Sequence, residues 1–409
     1  MTAHPRRIAL IVGLAFGAAA VAIQPAGAHK AITSKYTYND DVFPILRDKC
    51  ASCHVPGGIA PMSLMTYDDA FPWAESIRAE LVAAHMPPWN ADEGYGEIKR
   101  AHTLTPRELD VILTWATGGN PRGSLDQKLP AVELKNEWKL GAPDLMLKLP
   151  ADFTLAADKM EDSQEFTLPS GTGEAKWIRA VDLLPGTPSI VRSATIFVKG
   201  GAAPSAAPAP ERVLALWLPG QDLPPHDGIA FKLPAGAQLG VRIHYKKTWQ
   251  FEGKSVTDRS TVGLYFAPSG NTQELLSVPI DSPAAAAGSA DQTIRFSQTI
   301  ADDVQALALS PDKVPGNISL QVEAIKPDGS RVPMIRLNTR ADWDRRYWFE
   351  KPMTLPRGTR VEVTANLQDP DMLSAAFTST PGAAAAPARA SSMRLTLNVI
   401  PARTRPTAP

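Results

Sequence analysis

The chain has 409 residues, with 42 basic and 42 acidic side chains. This length predicts two or three domains, and the balanced charge excludes the strongly basic surface with which proteins hold nucleic acid. The 38 prolines are nearly twice the usual share of about 5%, which argues against a mostly helical chain and favours turn-rich β structure.

The first residues have the pattern of an export signal. Arg6 and Arg7 precede an apolar run over residues 8–21, and residues 26–28 are the small residues at which a signal peptidase cleaves. The apolar run is shorter than the ~20 residues that a membrane-spanning helix needs. We therefore expect residues 1–28 to be a cleaved signal peptide, with an uncleaved anchor as the alternative. The mature chain, without a membrane span, is expected in the periplasm or outside the cell.

Residues 29–121 show a helical pattern. Apolar residues recur at spacings of four within residues 70–84, which places them on one face of a helix. Thr105 and Glu108 can form a capping box at the start of a further helix, and Gly118 can end that helix. These signals predict one small domain of three or four short helices.

The pattern changes after a polar linker at residues 122–137. Short apolar or alternating runs follow, separated by turn residues, and this spacing is typical of β-sandwiches. We expect two sandwich lobes, at residues 138–280 and 291–401, and a tail at residues 402–409. Eight strands are predicted, at Trp177–Leu183, Ser189–Val198, Arg212–Leu218, Gln238–Tyr245, Ser260–Phe266, Ser319–Ile325, Thr359–Asn366 and Met393–Val399.

Residues 50–54 read Cys-Ala-Ser-Cys-His, a C-x-x-C-H motif. Its two thiols can each form a thioether with one vinyl group of haem, and the adjacent His54 can ligate the iron. Cys50 and Cys53 are the only two cysteines of the chain, so they cannot join distant segments. We predict one covalently bound haem c. A redox dithiol and a zinc half-site are the alternatives, although zinc would need a second ligand pair, of which His85 or His102 could supply only a part.

The second axial ligand of the iron is expected from the segment at residues 85–89. The two prolines that follow Met86 end the helix and hold the backbone extended, so that the thioether of Met86 can lie at a set distance from the iron. His85 is the rival ligand, and Met62 and His102 are further options. The choice matters because thioether ligation raises the reduction potential of the haem.

Several segments together resemble a known family. They are Cys50–Met65, Pro72-Trp73-Ala74, Met86-Pro87-Pro88-Trp89, Trp177-Ile178-Arg179-Ala180, Leu233-Pro234-Ala235-Gly236 and Ile243-His244-Tyr245. The chain is similar to the cytochrome c domain that bacteria fuse to copper type II, ascorbate-dependent monooxygenase-like modules, the family that includes peptidylglycine α-hydroxylating monooxygenase. The resemblance implies a small all-α cytochrome c domain followed by all-β tandem jelly-roll sandwiches. It also implies one copper ion per lobe, bound by three histidines in the first lobe and by two histidines and a methionine in the second.

Most of these copper ligands are missing when the family pattern is carried over position by position. His244 matches one histidine of the first lobe, but the expected pair falls on Arg192-Ser193 and the pair of the second lobe falls on Leu307 and Leu309. Met393 matches the methionine. The chain has seven histidines, and too few of them lie beyond the haem region to form both copper sites. We therefore expect no bound copper and interpret His244 as a structural residue at a vestigial ligand position.

These features predict an exported monohaem c-type cytochrome that transfers single electrons to or from a periplasmic or membrane-bound redox partner. The monooxygenase-like β module would then serve docking. One alternative is a copper-dependent monooxygenase supplied with electrons by the haem. His29 offers a separate copper site if it becomes the amino terminus, because its amino group and imidazole could chelate together. A further alternative is a β module that binds a glycan or a peptide, and an open iron site would instead indicate a peroxidase.

Overall fold

The computed structural model describes residues 33–99, 103–199, 211–221, 228–268, 270, 272–283, 293–340, 343–367 and 392–402. Within these ranges 41% of the residues lie in strands and 14% in helices. The predicted signal peptide, His29 and His102 lie outside the described residues. The described part of the chain is therefore mostly β.

The helices are short and, apart from a 3-10 turn at Trp249–Phe251, lie between residues 38 and 117. They are a π-helical turn at Tyr38–Val42, α1 at Phe43–Lys49, α2 at Tyr67–Ala70, a 3-10 turn at Phe71–Trp73, α3 at Ala74–Val82 and α4 at Pro106–Thr117. The predicted capping box of α4 is confirmed, because Thr105 Oγ1 accepts from Glu108 N at 3.2 Å and Glu108 Oε2 accepts from Thr105 N at 2.7 Å. Gly118 caps the other end of α4. In the described ranges, no helix is long and apolar enough to cross a membrane.

The described ranges contain nineteen strands. They are β1 Leu145–Lys148, β2 Phe153–Leu155, β3 Glu161–Pro169, β4 Lys176–Leu184, β5 Val191–Val198, β6 Arg212–Trp217, β7 Ile229–Leu233, β8 Gln238–Lys246, β9 Val256–Asp258, β10 Thr261–Phe266, β11 Gln273–Glu274, β12 Leu276–Asp281, β13 Thr293–Thr299, β14 Val304–Lys313, β15 Ser319–Ile325, β16 Arg331–Asn338, β17 Tyr347–Leu355, β18 Arg360–Asn366 and β19 Arg394–Pro401. All eight predicted strands are confirmed, with ends that agree to within a residue or two.

The strands form four principal sheets with a propeller-like arrangement. Their strand orders are β1-β10-β4-β7-β11, β3-β8-β5-β6, β12-β19-β14-β17 and β13-β18-β15-β16, and β2 pairs with β9 in a separate ribbon. The pairs are antiparallel except for β7 with β11. Strands that are adjacent in the sequence are often not neighbours in a sheet, so the sheets depend on long-range pairing.

Three large apolar clusters form the core. The helical cluster contains Tyr38 and Trp115, which are both 0% exposed. The first β core combines residues of the β4 and β8 sheets, such as Ile178 and Leu239. The second β core likewise combines the β12-β19-β14-β17 and β13-β18-β15-β16 sheets.

The predicted fold class, a small all-α cytochrome c domain followed by tandem jelly-roll sandwiches, is wrong. The helices are too short to make a sizeable all-α domain, and four sheets in a propeller-like arrangement make up most of the described chain. Residues 89–99 leave the helical cluster and lie along β16 and β17, where Ala91 pairs with Leu337 and Ile98 pairs with Phe349. Both strands are at sheet edges. Edge strands have unpaired backbone groups, and this segment satisfies part of them.

Candidate haem site

The C-x-x-C-H motif directly follows α1 and continues it as a helical turn. Cys50 N donates to Leu46 O at 2.8 Å, and His54 N donates to Cys50 O at 2.9 Å. Residues three and four apart on such a turn share one side. The turn therefore presents Cys50, Cys53 and His54 together, and both half-buried cysteines are free thiols.

The imidazole of His54 is held through Nδ1. This nitrogen lies 3.1 Å from Met62 O, and the same loop is fixed again where Leu64 N donates to His54 O at 3.1 Å. Burial lowers the pKa of His54 and the positive charge of Arg192 lowers it further, against the opposing effect of the Met62 hydrogen bond. His54 is therefore a neutral imidazole at neutral pH, and Nε2 is the nitrogen left for a metal ion.

Met86 lies in the same region as the motif. It is half-buried and packs against the helical cluster, which Cys50 and Met62 also contact. His85 is placed differently, because its Nδ1 lies 3.0 Å from Glu80 Oε2. The structure therefore brings the thioether of Met86 to the cluster that holds the motif, and it places the imidazole of His85 beside a carboxylate.

The loop that contains the C-x-x-C-H motif, residues 50–62 (the motif loop), packs against residues that follow β6 and β8. Gly220 has a positive φ of 73°, and a Cβ atom added to it would lie 2.3 Å from Ser52 Cβ. Gln250 Nε2, from the 3-10 turn Trp249–Phe251, donates to Pro61 O at 3.1 Å. The C-x-x-C-H motif is thus held from the side of the sheets as well as from its own helices.

Burial and nearby cations have opposite effects on the motif thiols. Burial raises the pKa of Cys50 to about 12 and also raises the pKa of Cys53. The hydrogen bond from Ser52 opposes this effect on the pKa of Cys53, as do the charges of Arg192, Lys139 and Arg345. Sequence reasoning missed these three cations, and no local signal marks them, because only the tertiary fold brings them to the motif.

His244 and Met393, the two residues that keep a copper-ligand side chain, do not come together, whereas Ser193, which stands at a position of the expected histidine pair, lies opposite His244. His244 lies on β8, and its neighbours across the sheet are serines, Ser163 on β3 and Ser193 on β5. Its Nδ1 is 3.1 Å from Ser163 Oγ. Met393 is 1% exposed and belongs to the second β core. Across the described part of the chain, no three His, Cys, Asp or Glu side chains are grouped to hold a metal ion. A haem site would not form such a group, because the chain supplies the iron with only one imidazole and one thioether.

Comparison with known proteins gives no family. No protein-family model matches the chain, and no curated protein matches it. The likeness to copper monooxygenase fusions therefore stays a prediction from the quoted segments. The residues present do fit a covalently attached haem, since two free thiols share a turn with a neutral imidazole that is held through Nδ1.

Proposed function

We propose that this protein binds one haem c at Cys50, Cys53 and His54 and carries out one-electron transfer. The observation that carries the proposal is the hydrogen bond from His54 Nδ1 to Met62 O, which holds the imidazole on the turn that also carries both thiols. A ring nitrogen engaged in this way sets the orientation of the imidazole toward a metal. When bound, the haem supplies an iron that accepts and returns a single electron.

Each side chain of the site has a separate task. The thiols of Cys50 and Cys53 would hold the cofactor through thioethers to its two vinyl groups, which would fix it to the turn. His54 supplies Nε2 in its neutral form. The apolar cluster around the turn, including Leu64 and Met65, excludes water and so favours the less charged, reduced state.

Met86 is the proposed distal ligand. It packs against the cluster that Cys50 contacts. His85 is the alternative, because its Nδ1 lies 3.0 Å from Glu80 Oε2, and a carboxylate at Nδ1 can also orient a ligating imidazole. If His54 and Met86 both ligated the iron, no ligand position would be left for a substrate. This supports electron transfer over a peroxidase reaction.

The β region, the part of the chain that contains strands β1 to β19, is proposed to be the docking surface for a periplasmic or membrane-bound redox partner. Trp249 is 59% exposed, and the residue after it hydrogen-bonds the motif loop at Pro61. An exposed aromatic side chain beside a redox centre suits the small, transient interfaces of electron transfer. Trp249→Ala is expected to slow electron exchange with the partner and to leave the haem spectrum unchanged.

The test is the visible spectrum of the full chain made in a host that attaches haem c. The wild type and a Ser52→Ala control should carry one haem that stays bound on denaturation. A variant with both Cys50→Ser and Cys53→Ser should lose it. A colourless wild type, or a double variant that keeps covalent haem, would show the proposal to be wrong. Stoichiometric copper in the same sample would instead support the monooxygenase alternative.

A further inference from the structure

Arg345 is a buried cation beside the candidate haem site. It lies just before β17 and is 8% exposed. Its Nη2 donates to Pro88 O at 2.9 Å, and its guanidinium carbon lies 5.4 Å from the centroid of the Trp89 ring. Nε is buried without a hydrogen-bond partner among the described residues. No described carboxylate lies within ion-pair distance of Arg345, and burial of an unpaired charge is costly.

Arg345 connects the two parts of the candidate site. Its hydrogen bond and ring contact are made to the residues that follow Met86, and its charge acts on Cys53. A cofactor attached at Cys53 and ligated by Met86 has to lie between these two segments. The guanidinium is therefore at the edge of the space that the cofactor would fill.

Arg192 adds a second cation on the same side. It lies on β5, its guanidinium carbon is 4.2 Å from the centroid of the Trp343 ring, and its charge acts on both Cys53 and His54. Trp343 is only two residues from Arg345, so the two arginines come from neighbouring surfaces of different sheets. An anionic group is needed to balance Arg345, which has no described carboxylate within ion-pair distance. The two propionate carboxylates are the anions that haem brings to the site.

We propose that Arg345, assisted by Arg192, binds the propionates of the haem attached at Cys50 and Cys53. This inference rests on the proposed function. It makes the β region a part of the haem site, because its cations pair with the cofactor. Arginine suits the role, since its planar guanidinium binds a carboxylate through two parallel hydrogen bonds.

The pairing has a consequence for the reduction potential. A cation beside the haem opposes the positive charge that the iron gains on oxidation and so favours the reduced form. When Arg345 is removed, the unpaired propionate stabilises the oxidised iron, and the midpoint potential falls. The pKa of that propionate rises when it loses its cation, so the potential becomes dependent on pH.

The experiment compares full-length, haem-loaded wild type with Arg345→Gln, Arg345→Lys and the exposed control Arg331→Gln. The midpoint potential is measured from pH 5 to 9, and resonance Raman spectra report the propionate bending band. We expect Arg345→Gln to shift the ratio of reduced to oxidised protein by about tenfold, equal to about 59 mV for one electron, with a displaced propionate band. Arg345→Lys should keep most of the potential, and Arg331→Gln should match the wild type.

Two failures are distinguishable. A wild type without covalent haem overturns the proposed function. A haem-loaded Arg345→Gln variant whose potential and Raman band match those of Arg331→Gln overturns only the role of Arg345. If Arg345→Gln does not fold, Arg345→Met and the half-buried Arg192→Gln remove the same charges, and an unchanged potential and propionate band in both also reject the proposal.

Discussion

Replacement of Tyr38 by phenylalanine tests how the helical cluster supports the haem ligand. Tyr38 is 0% exposed, and its hydroxyl donates to Leu64 O at 2.7 Å. Leu64 N in turn donates to His54 O. The Tyr38 hydroxyl therefore anchors the loop that orients His54.

The cost of Tyr38→Phe follows from the one hydrogen bond that is lost. The ring stays in place, and its contacts with Phe43, Tyr67 and Trp115, at centroid distances of 6.2, 5.7 and 6.0 Å, can remain. The carbonyl of Leu64, a residue that is 4% exposed, loses this partner, and a buried unsatisfied acceptor costs about 1–3 kcal/mol. We expect the free energy of unfolding to fall by about 2 kcal/mol.

The assay is urea unfolding of the haem-loaded protein, followed by the absorbance of the haem. With a urea dependence of about 2 kcal/mol per M, the midpoint should fall by about 1 M. Tyr67→Phe is the matched control. Its hydroxyl donates to Asn120 O at 3.0 Å in a half-buried position, where water can replace the hydroxyl. The free energy of unfolding is therefore expected to fall by only about 0.5–1 kcal/mol.

The reasoning is refuted if Tyr38→Phe unfolds at the same urea concentration as the wild type. It is also refuted if Tyr67→Phe is the more strongly destabilised variant. Either result would mean that the buried carbonyl of Leu64 finds another partner, and that Tyr38 does not hold the His54 loop.

Three other substitutions test the distal ligand, the contact with the sheets and the cap of α4. Met86→Ala should lower the midpoint potential and remove the thioether-to-iron absorption band, whereas His85→Ala should keep both. A wild type without that band, whose potential changes in His85→Ala and not in Met86→Ala, would assign the ligand to His85. Gly220→Ala should destabilise the protein more than Gly236→Ala, because both glycines have positive φ but only Gly220 has atoms within 4 Å of the added Cβ. Equal thermal unfolding of the two variants would contradict this contact. Thr105→Ala should lower the free energy of unfolding by about 1 kcal/mol through loss of the cap. An unchanged midpoint of chemical denaturation would argue against this role of Thr105.

Proline explains several strands that the sequence pattern did not predict. Pro279 lies in β12, Pro333 in β16 and Pro352 in β17, and each of these strands is at the edge of its sheet. A proline lacks the N–H that a central strand needs, but an edge strand can leave one side unpaired. The pattern that reads as a loop in the sequence is therefore an edge strand in the fold.

The short-range features of this protein are determined by the sequence alone. The thiols and imidazole of residues 50–54 lie within one turn, and Thr105 caps its helix through a residue three positions away. The prediction of a separate all-α domain was wrong, because no local pattern shows that residues 89–99 lie against β16 and β17. Strand pairing between distant residues also decides that Arg192 and Arg345 approach Cys53. Only the tertiary structure could reveal these cations, since the energy that places them comes from burial and backbone pairing far along the chain.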